Sequence, residues 1–348
     1  MLSPVLKPFQ LSSTLNIKNR IVMAPMTRRR ADENYNPTEM MIPYYARRAE
    51  AGLIVTEGTI ISKDAVGYGN VPGIFTNSHI EHWKKITDAV HENKGAIFLQ
   101  LWHCGRVSHP ALHEGKLPIS ASATTLNIPL GRSGYTCGTS REATKCEIKS
   151  LVNDFAKAAQ NAMSANFDGI EIHGANGYLV DQFLHYCSNQ RGDEYGITPE
   201  NMSRFCLEVV AACGETIGFE KVGLRLSPGG HMNEIVTDQR DQFIFQCLLQ
   251  QLEKLNIAYV HTGTFDDSIK YSGLNNKTAT EFLREHYKKI IIASGNYNLV
   301  SAEQGVNTNL FDLVALGRPF IANPDLIQRL HHNITLNKYD AKMLDELM

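Results

Sequence analysis

The sequence predicts one (β/α)8 (TIM) barrel, on three observations. Short apolar runs rich in β-branched residues recur eight times, at Arg20–Ala24, Leu53–Ile61, Ala96–Leu101, Gly169–His173, Lys221–Leu226, Ile257–Thr262, Lys289–Ala293 and Asp312–Leu316. Helical patterns lie between most of them, and alternating strand and helix implies a parallel sheet. A doubly wound sheet, the other common arrangement of such units, usually carries G-x-G-x-x-G after its first strand, and none is present.

Taken along the chain, the leading segment Pro4–Lys18 has no long helical pattern and reads as a small hairpin closing the bottom of the barrel. The stretch Glu147–Ala165 places Leu151, Phe155, Ala158, Ala159 and Ala162 at helical spacing, and Asp238–Leu255 has the same character. The longest interruption, Cys104–Lys145, is rich in Gly, Pro, Ser and Thr and directly follows the third strand. It reads as an extended loop, a lid or hairpin over the active face. The tail Lys338–Met348 is compatible with a short amphipathic helix. The expected organisation is a single domain over residues 1–348, with its core at about 4–330 and a tail at 331–348.

Composition narrows the function. Of 348 residues 43% are apolar and 20% charged, as expected for a chain that buries a sizeable core. With 34 basic against 36 acidic residues the net charge is -2, so no overall field draws in nucleic acid or an acidic membrane. The start, Met1–Gln10, carries two prolines and no apolar stretch after a basic flank, and no run reaches the roughly 18 apolar residues of a membrane span, so a cytoplasmic enzyme acting on a small molecule is expected. The seven cysteines are scattered and never spaced C-x-x-C, which favours free thiols. His103 beside Cys104, and His109 near His113, lack a second cluster at zinc spacing, and no metal site is expected. Arg28-Arg29-Arg30 and His331-His332 read as solvated or ion-paired surface, although Arg28 adjoins the exit of the first strand. Monomer and homodimer are equally compatible with this sequence.

Barrels of this kind handle ligands at the C-terminal ends of their strands. The residues there are Pro25, Met26, Thr27 and Arg28 after the first strand, Gly58 after the second, Gln100, Trp102 and His103 near the end of the third, and His173, Asn176 and Tyr178 after the fourth. Arg225 ends the fifth strand, Gly295-Asn296-Tyr297 follows the seventh, and Gly317-Arg318-Pro319 follows the eighth. Either glycine turn alone is an ordinary turn. Two of them after neighbouring strands, with Arg318 at hand, let backbone N–H groups converge on a phosphate. Alternation along the fifth strand points Arg225 into the barrel mouth, where it requires a structural carboxylate or a cofactor that becomes negative on reduction. His173 and Asn176 can both donate to one substrate oxygen, and Tyr178, with an ordinary pKa of about 10, can serve as a general acid. Singly each would read as structural; the trio on one strand-to-helix loop favours function.

Five motifs in order carry a resemblance: Ala24–Arg28 (APMTR), Gln100–Arg106 (QLWHCGR), His173–Leu184 (HGANGYLVDQFL), Ser188–Arg191 (SNQR) and Gly317–Asp325 (GRPFIANPD). Together they resemble the Old Yellow Enzyme family from about Pro4 to Leu330, most of all its bacterial branch of N-ethylmaleimide reductase, pentaerythritol tetranitrate reductase and morphinone reductase. The resemblance implies FMN across the top of the barrel, with Pro25, Thr27, Gly58, Gln100 and Arg225 at the isoalloxazine ring, Gly295, Asn296, Gly317 and Arg318 at the phosphate, and Met26 among the cofactor-binding residues. It further implies that His173 and Asn176 hold the carbonyl or nitro oxygen of an electron-poor alkene, that hydride comes from the flavin, and that Tyr178 protonates the opposite face. NADPH or NADH would be the reductant. Tyr68, in Gly67–Gly73 (GYGNVPG), and Trp102 resemble the aromatic walls of the substrate pocket, with plain core packing as the other reading of Trp102. One departure is expected to matter: the family's tyrosine-containing tail has no counterpart recognised in Asn337–Met348. Two other readings remain open on the residues alone, a flavin-containing protein that captures phenols or steroids without turnover, and a barrel enzyme working on a sugar phosphate.

Overall fold

The computed structural model describes residues 3–131, 133–230 and 232–347; Met1, Leu2, Arg132, His231 and the last tail residue, Met348, lie outside them. All eight predicted runs form strands of one parallel sheet: Ile21–Met23, Leu53–Val55, Ile97–Trp102, Gly169–Gly174, Val222–Leu226, Tyr259–Thr262, Ile291–Ala293 and Leu313–Leu316. The eighth strand pairs with the first (Val314 with Ile21), and the second pairs with the third (Ile54 with Ile97), which closes the barrel. The second run is shorter than its apolar stretch: Thr56, Glu57 and Gly58 interrupt it, and Thr59–Ile60 continues beside Leu101 and Trp102.

Period-two alternation divides the strand residues between two cores. Ile21, Ile54, Leu99, Ile172 and Val260 face the helices, whereas Val22, Leu53, Phe98, Tyr259, Ile292 and Leu313 fill the lower barrel. Phe98 and Tyr259 stack there, 5.8 Å between ring centroids. Gly223 makes that fit possible, since a Cβ on it would stand 2.3 Å from the Tyr259 ring. The predicted hairpin is present, with Phe9 opposite Ile17 and Gln10 opposite Asn16. Leu11 and Ile17 from it complete the lower core and plug the bottom, so ligands are left the upper end.

The helix after the third strand runs Lys145–Ser164 because Thr144 caps it: its hydroxyl accepts from Glu147 N (3.2 Å), and the Glu147 carboxylate accepts from Thr144 N (2.8 Å). The predicted helix at Asp238 begins at Asp241, where the Asp241 side chain instead accepts from Asp238 N. Within Cys104–Lys145 the chain forms a hairpin bridged at Thr125–Thr139 and Pro129–Thr136. It lies at the barrel mouth, where Asn127 N donates to Glu234 Oε1. All seven cysteines are free thiols.

Two expectations for the surface and tail need correction. Arg28 is not surface: it is 4% exposed, stands over the Tyr44 ring (5.0 Å), and donates through Nη2 to the carbonyls of Met343 (3.0 Å) and Glu346 (2.6 Å). The tail is no amphipathic helix either, but an extended strap with one 3-10 turn, Ala341–Leu344, tied to its own chain by reciprocal Asn323–Asn337 hydrogen bonds. Carbonyls and a guanidinium, rather than an apolar helix face, dock it. Arg28→Ala should therefore release the strap, and limited tryptic cleavage at Lys338 and Lys342 should accelerate about tenfold while the barrel stays folded. Unchanged cleavage would mean the clamp contributes nothing.

Candidate active site

Above the apolar lower core, the inward-facing positions turn polar. Strand pairing sets Gln100 beside Glu171, and sets Arg225 between His173 and His261. Gln100 Nε2 donates to Glu171 Oε1 (2.8 Å) and His261 Nδ1 donates to Glu171 Oε2 (2.8 Å), all three residues being buried. Burial alone would raise the Glu171 carboxyl, but His261, Arg225 and Gln100 outweigh it and hold it below its ordinary value. Arg225 is 8% exposed, and its Nε donates to the Thr262 carbonyl at 3.4 Å. The two readings of Arg225 thus combine: Glu171 offsets its charge from below, while the guanidinium borders the open cavity above.

That cavity, of about 960 Å3, lies across the ends of strands one, seven and eight. Seven of the ten predicted cofactor residues line it: Pro25, Met26, Arg225, Gly295, Asn296, Gly317 and Arg318. Gly295 has φ 132°, and a Cβ there would stand 2.5 Å from Asp267 N, so only glycine fits the turn. Arg318 Nη2 reaches Asn296 Oδ1 at 3.5 Å, which brings the two turns to one point. The other three lie outside the lining. Thr27 is exposed just past the first strand, Gln100 is buried against Glu171, and Gly58 is packed beneath Trp102, where a Cβ would meet the indole at 2.5 Å. Tyr339, Leu336, Asn337 and Leu344 of the tail also line the cavity, so a tail tyrosine is present after all, one the spacing expected of the tail did not reveal.

His173, Asn176, Tyr178, Tyr68 and Trp102 gather on the other side of Arg225. Tyr178 meets His173 (5.0 Å) and Trp102 (4.9 Å) edge to face, and Tyr68 stacks on Trp102 (5.6 Å). The hydroxyls of Tyr178 and Tyr68 are 3.3 Å apart. Trp102, at 2% exposure, is both core and wall. His173 Nδ1 and Asn176 Oδ1 are buried with no hydrogen-bond partner, a costly state; the imidazole nitrogen can donate to a ligand oxygen when it carries the proton, whereas the amide oxygen can only accept. Burial and the nearby Arg225 charge push His173 down to about 3, so its imidazole is a neutral donor at physiological pH. Burial, reinforced by Tyr68, raises the Tyr178 phenol well above its ordinary value and keeps it protonated.

A family model described as the NADH:flavin oxidoreductase / NADH oxidase family matches residues 4–337. The chain belongs to this family. Flavin oxidoreductase hxnT of Emericella nidulans is 40% identical over 97% of the chain and 93% of its own length. 12-oxophytodienoate reductase 2 of Arabidopsis thaliana is 36% identical, covering 97% and 91%. Among solved structures, the Old Yellow Enzyme homologue of Zymomonas mobilis superposes with a TM-score of 0.91 at 35% identity, covering 98% and 96%, and morphinone reductase bound to tetrahydroNAD gives 0.89 at 38%, covering 98% and 93%. These relatives place the chain in the Old Yellow Enzyme family without singling out its bacterial branch. As a member of it, the chain is an NAD(P)H-dependent FMN oxidoreductase. Among the described residues, no helix is long and apolar enough to cross a membrane.

Sequence reading missed a layer behind the site. Glu171 and His261 carry only the signature of strand residues, and Asp181, His185, Ser227 and Asp241 have no signature that marks them as a group. Asp181 and His185, four apart, carry a helical-pair spacing visible in the sequence; their partners Ser227, just past the fifth strand, and Asp241, first residue of the following helix, are distant in the chain, which no local pattern reveals.

Proposed function

We propose that the chain reduces the C=C bond of small electron-poor alkenes, α,β-unsaturated carbonyl or nitro compounds, with NADPH or NADH as reductant and Tyr178 as the proton donor. The observation that carries this reading is the junction at Arg225, which borders the cofactor-sized cavity on one side and pairs by strand register with His173 of the polar and aromatic cluster on the other. The residues present fit FMN. The cavity is of the size that takes such ligands, about 300–1,000 Å3, two converging glycine turns with Arg318 suit a phosphate, and a buried arginine that borders the cavity and makes no direct hydrogen bond to a carboxylate suits an anionic ring edge. When bound, FMN supplies reversible hydride transfer.

The chain's own residues then divide the work. Gly295, Asn296, Gly317 and Arg318 would hold the phosphate, and Pro25, Met26 and Arg225 would meet the ring, where the arginine stabilises developing negative charge. His173 and Asn176 would donate to the substrate's carbonyl or nitro oxygen, which both orients the alkene and withdraws electron density from it. Tyr178 Oη would deliver a proton to the alkene α-carbon, with Tyr68 Oη as its hydrogen-bonded partner. Trp102 and Tyr68 wall the alkene in and keep water from the site.

The visible spectrum tests this directly. Purified protein should show flavin absorbance that bleaches on anaerobic NADPH addition and returns on adding cyclohexenone. A flavin band that responds to phenol but not to the nicotinamide would support capture without turnover and overturn the reductase reading.

A further inference from the structure

Behind the substrate cluster lies a chain of charges with no exposure at all. His185 Nδ1 faces Asp241 Oδ2 at 2.9 Å, His185 Nε2 faces Asp181 Oδ1 at 3.2 Å, and all three side chains are 0% exposed. From there the connections run toward the site. Asp181 Oδ2 accepts from Gly177 N (2.8 Å) and from Ser227 Oγ (3.0 Å), and Ser227 Oγ in turn accepts from Asn176 N (2.8 Å). Asn176 and Gly177 are consecutive left-handed residues, φ 60° and 75°, and this turn sets the direction in which Asn176 and Tyr178 leave the backbone. The opposite side of the Asn176 peptide is also held: its carbonyl accepts from Asn233 Nδ2 at 2.7 Å. Asn233 belongs to the same loop, between the fifth strand and the following helix, that Asp241 ties down by accepting from Asp238 N.

We propose that the buried Asp241–His185–Asp181 chain is a positioning unit for substrate binding, fixing through Ser227 the left-handed turn from which Asn176 and Tyr178 project. The proposal rests on the role assigned to Asn176 under Proposed function. Two considerations separate it from ordinary core structure. A buried ion pair is a poor stability device, because desolvating the charges offsets most of their attraction, and well-packed apolar residues do as well or better. An ionised carboxylate is, by contrast, the strongest available acceptor for N–H and O–H donors, and here it accepts directly from the Gly177 N–H and, through the Ser227 hydroxyl, orients the acceptor of the Asn176 N–H. Burial opposes a charge on His185, yet the two carboxylates outweigh it and push the imidazole up to about 10, so at neutral pH it bridges them as a cation. Gly177 shows how little slack the turn has: a Cβ there would stand 2.8 Å from Asn233 Cβ and 2.9 Å from the Met232 carbonyl.

Ser227→Ala tests the link with least damage, since it removes one hydroxyl and leaves the His185 ion pairs in place; Asp181→Asn tests the charge with an isosteric side chain. The measurement is the dissociation constant of phenol for the FMN-loaded protein, read from its long-wavelength charge-transfer absorbance, alongside the melting temperature and the KM and kcat for cyclohexenone. Both variants should bind phenol about tenfold more weakly and show a raised KM with a lesser change in kcat. Asn176→Ala is the reference. If Asn176→Ala weakens phenol binding while Ser227→Ala and Asp181→Asn lower only the melting temperature, the chain is structural and the proposal is overturned. If Asn176→Ala itself binds phenol like the parent, the assigned role of Asn176 fails first, and the positioning unit with it.

Discussion

Replacing Tyr178 with Phe is expected to slow alkene turnover by about 10²–10³-fold, within the range general acid catalysis contributes, while leaving reduction of the flavin by NADPH within about twofold of the parent. The substitution keeps the ring that packs edge to face on Trp102 and His173 and deletes only the hydroxyl. Proton delivery is needed when the alkene is reduced and not when the nicotinamide is oxidised, so the two half-reactions separate a proton donor from a packing residue. Because burial and Tyr68 hold the phenol well above its ordinary value, the proton is present throughout the neutral range, and the parent's alkene step should show no ionisation of this group between pH 6 and 9. Stopped-flow measurement of each half-reaction decides the matter. Equal loss in both would remove Tyr178 from proton transfer and make it a wall of the pocket.

The second large effect is on stability. Glu171→Leu takes away a carboxylate that accepts from His261 Nδ1 and Gln100 Nε2 and offsets Arg225, and it leaves those donors buried without an acceptor. Removing one member of a buried charged set costs about 3–5 kcal/mol, enough to consume much of an ordinary domain's stability. Since the folded-state carboxyl is held below the ordinary glutamate value of about 4.5, its contribution is present above that pH and lost as pH falls through the folded value. The difference between parent and variant in urea denaturation should accordingly be full at pH 7 and shrink in acid below about pH 4.5. Glu171→Gln, which keeps an acceptor oxygen, should cost less. A Leu variant as stable as the parent would show that the barrel interior tolerates the loss by repacking, and that Arg225 is balanced by another group.

The site was legible where its residues are near in sequence or fall at fixed places in the strand–helix unit. His173 ends the fourth strand with Asn176 and Tyr178 just past it, and the turns at Gly295 and Gly317 follow apolar runs, so period and position put all of them at the barrel mouth. Thr27 and Gly58 both sit just past a strand, but one is exposed outside the cavity lining and the other packs under Trp102. Position past a strand says that a residue is near the mouth; which cavity wall it joins depends on neighbours from other strands. Arg28 misled for the same reason, since an arginine in a run of three looks solvated until the last residues of the chain, more than 300 positions away, present their carbonyls to it.

By itself the sequence determined the barrel, its strand count, the hairpin plug and the family, because each depends on short-range periodicity and on motifs of contiguous residues. Only the tertiary structure decided that Asp241, His185, Asp181 and Ser227 form one buried chain behind Asn176, that Glu171 balances Arg225, and that the tail completes the cavity wall. A hydrogen bond between residues tens of positions apart leaves no period in the chain. It exists only once barrel closure has brought strands and loops from distant positions within 3 Å of one another.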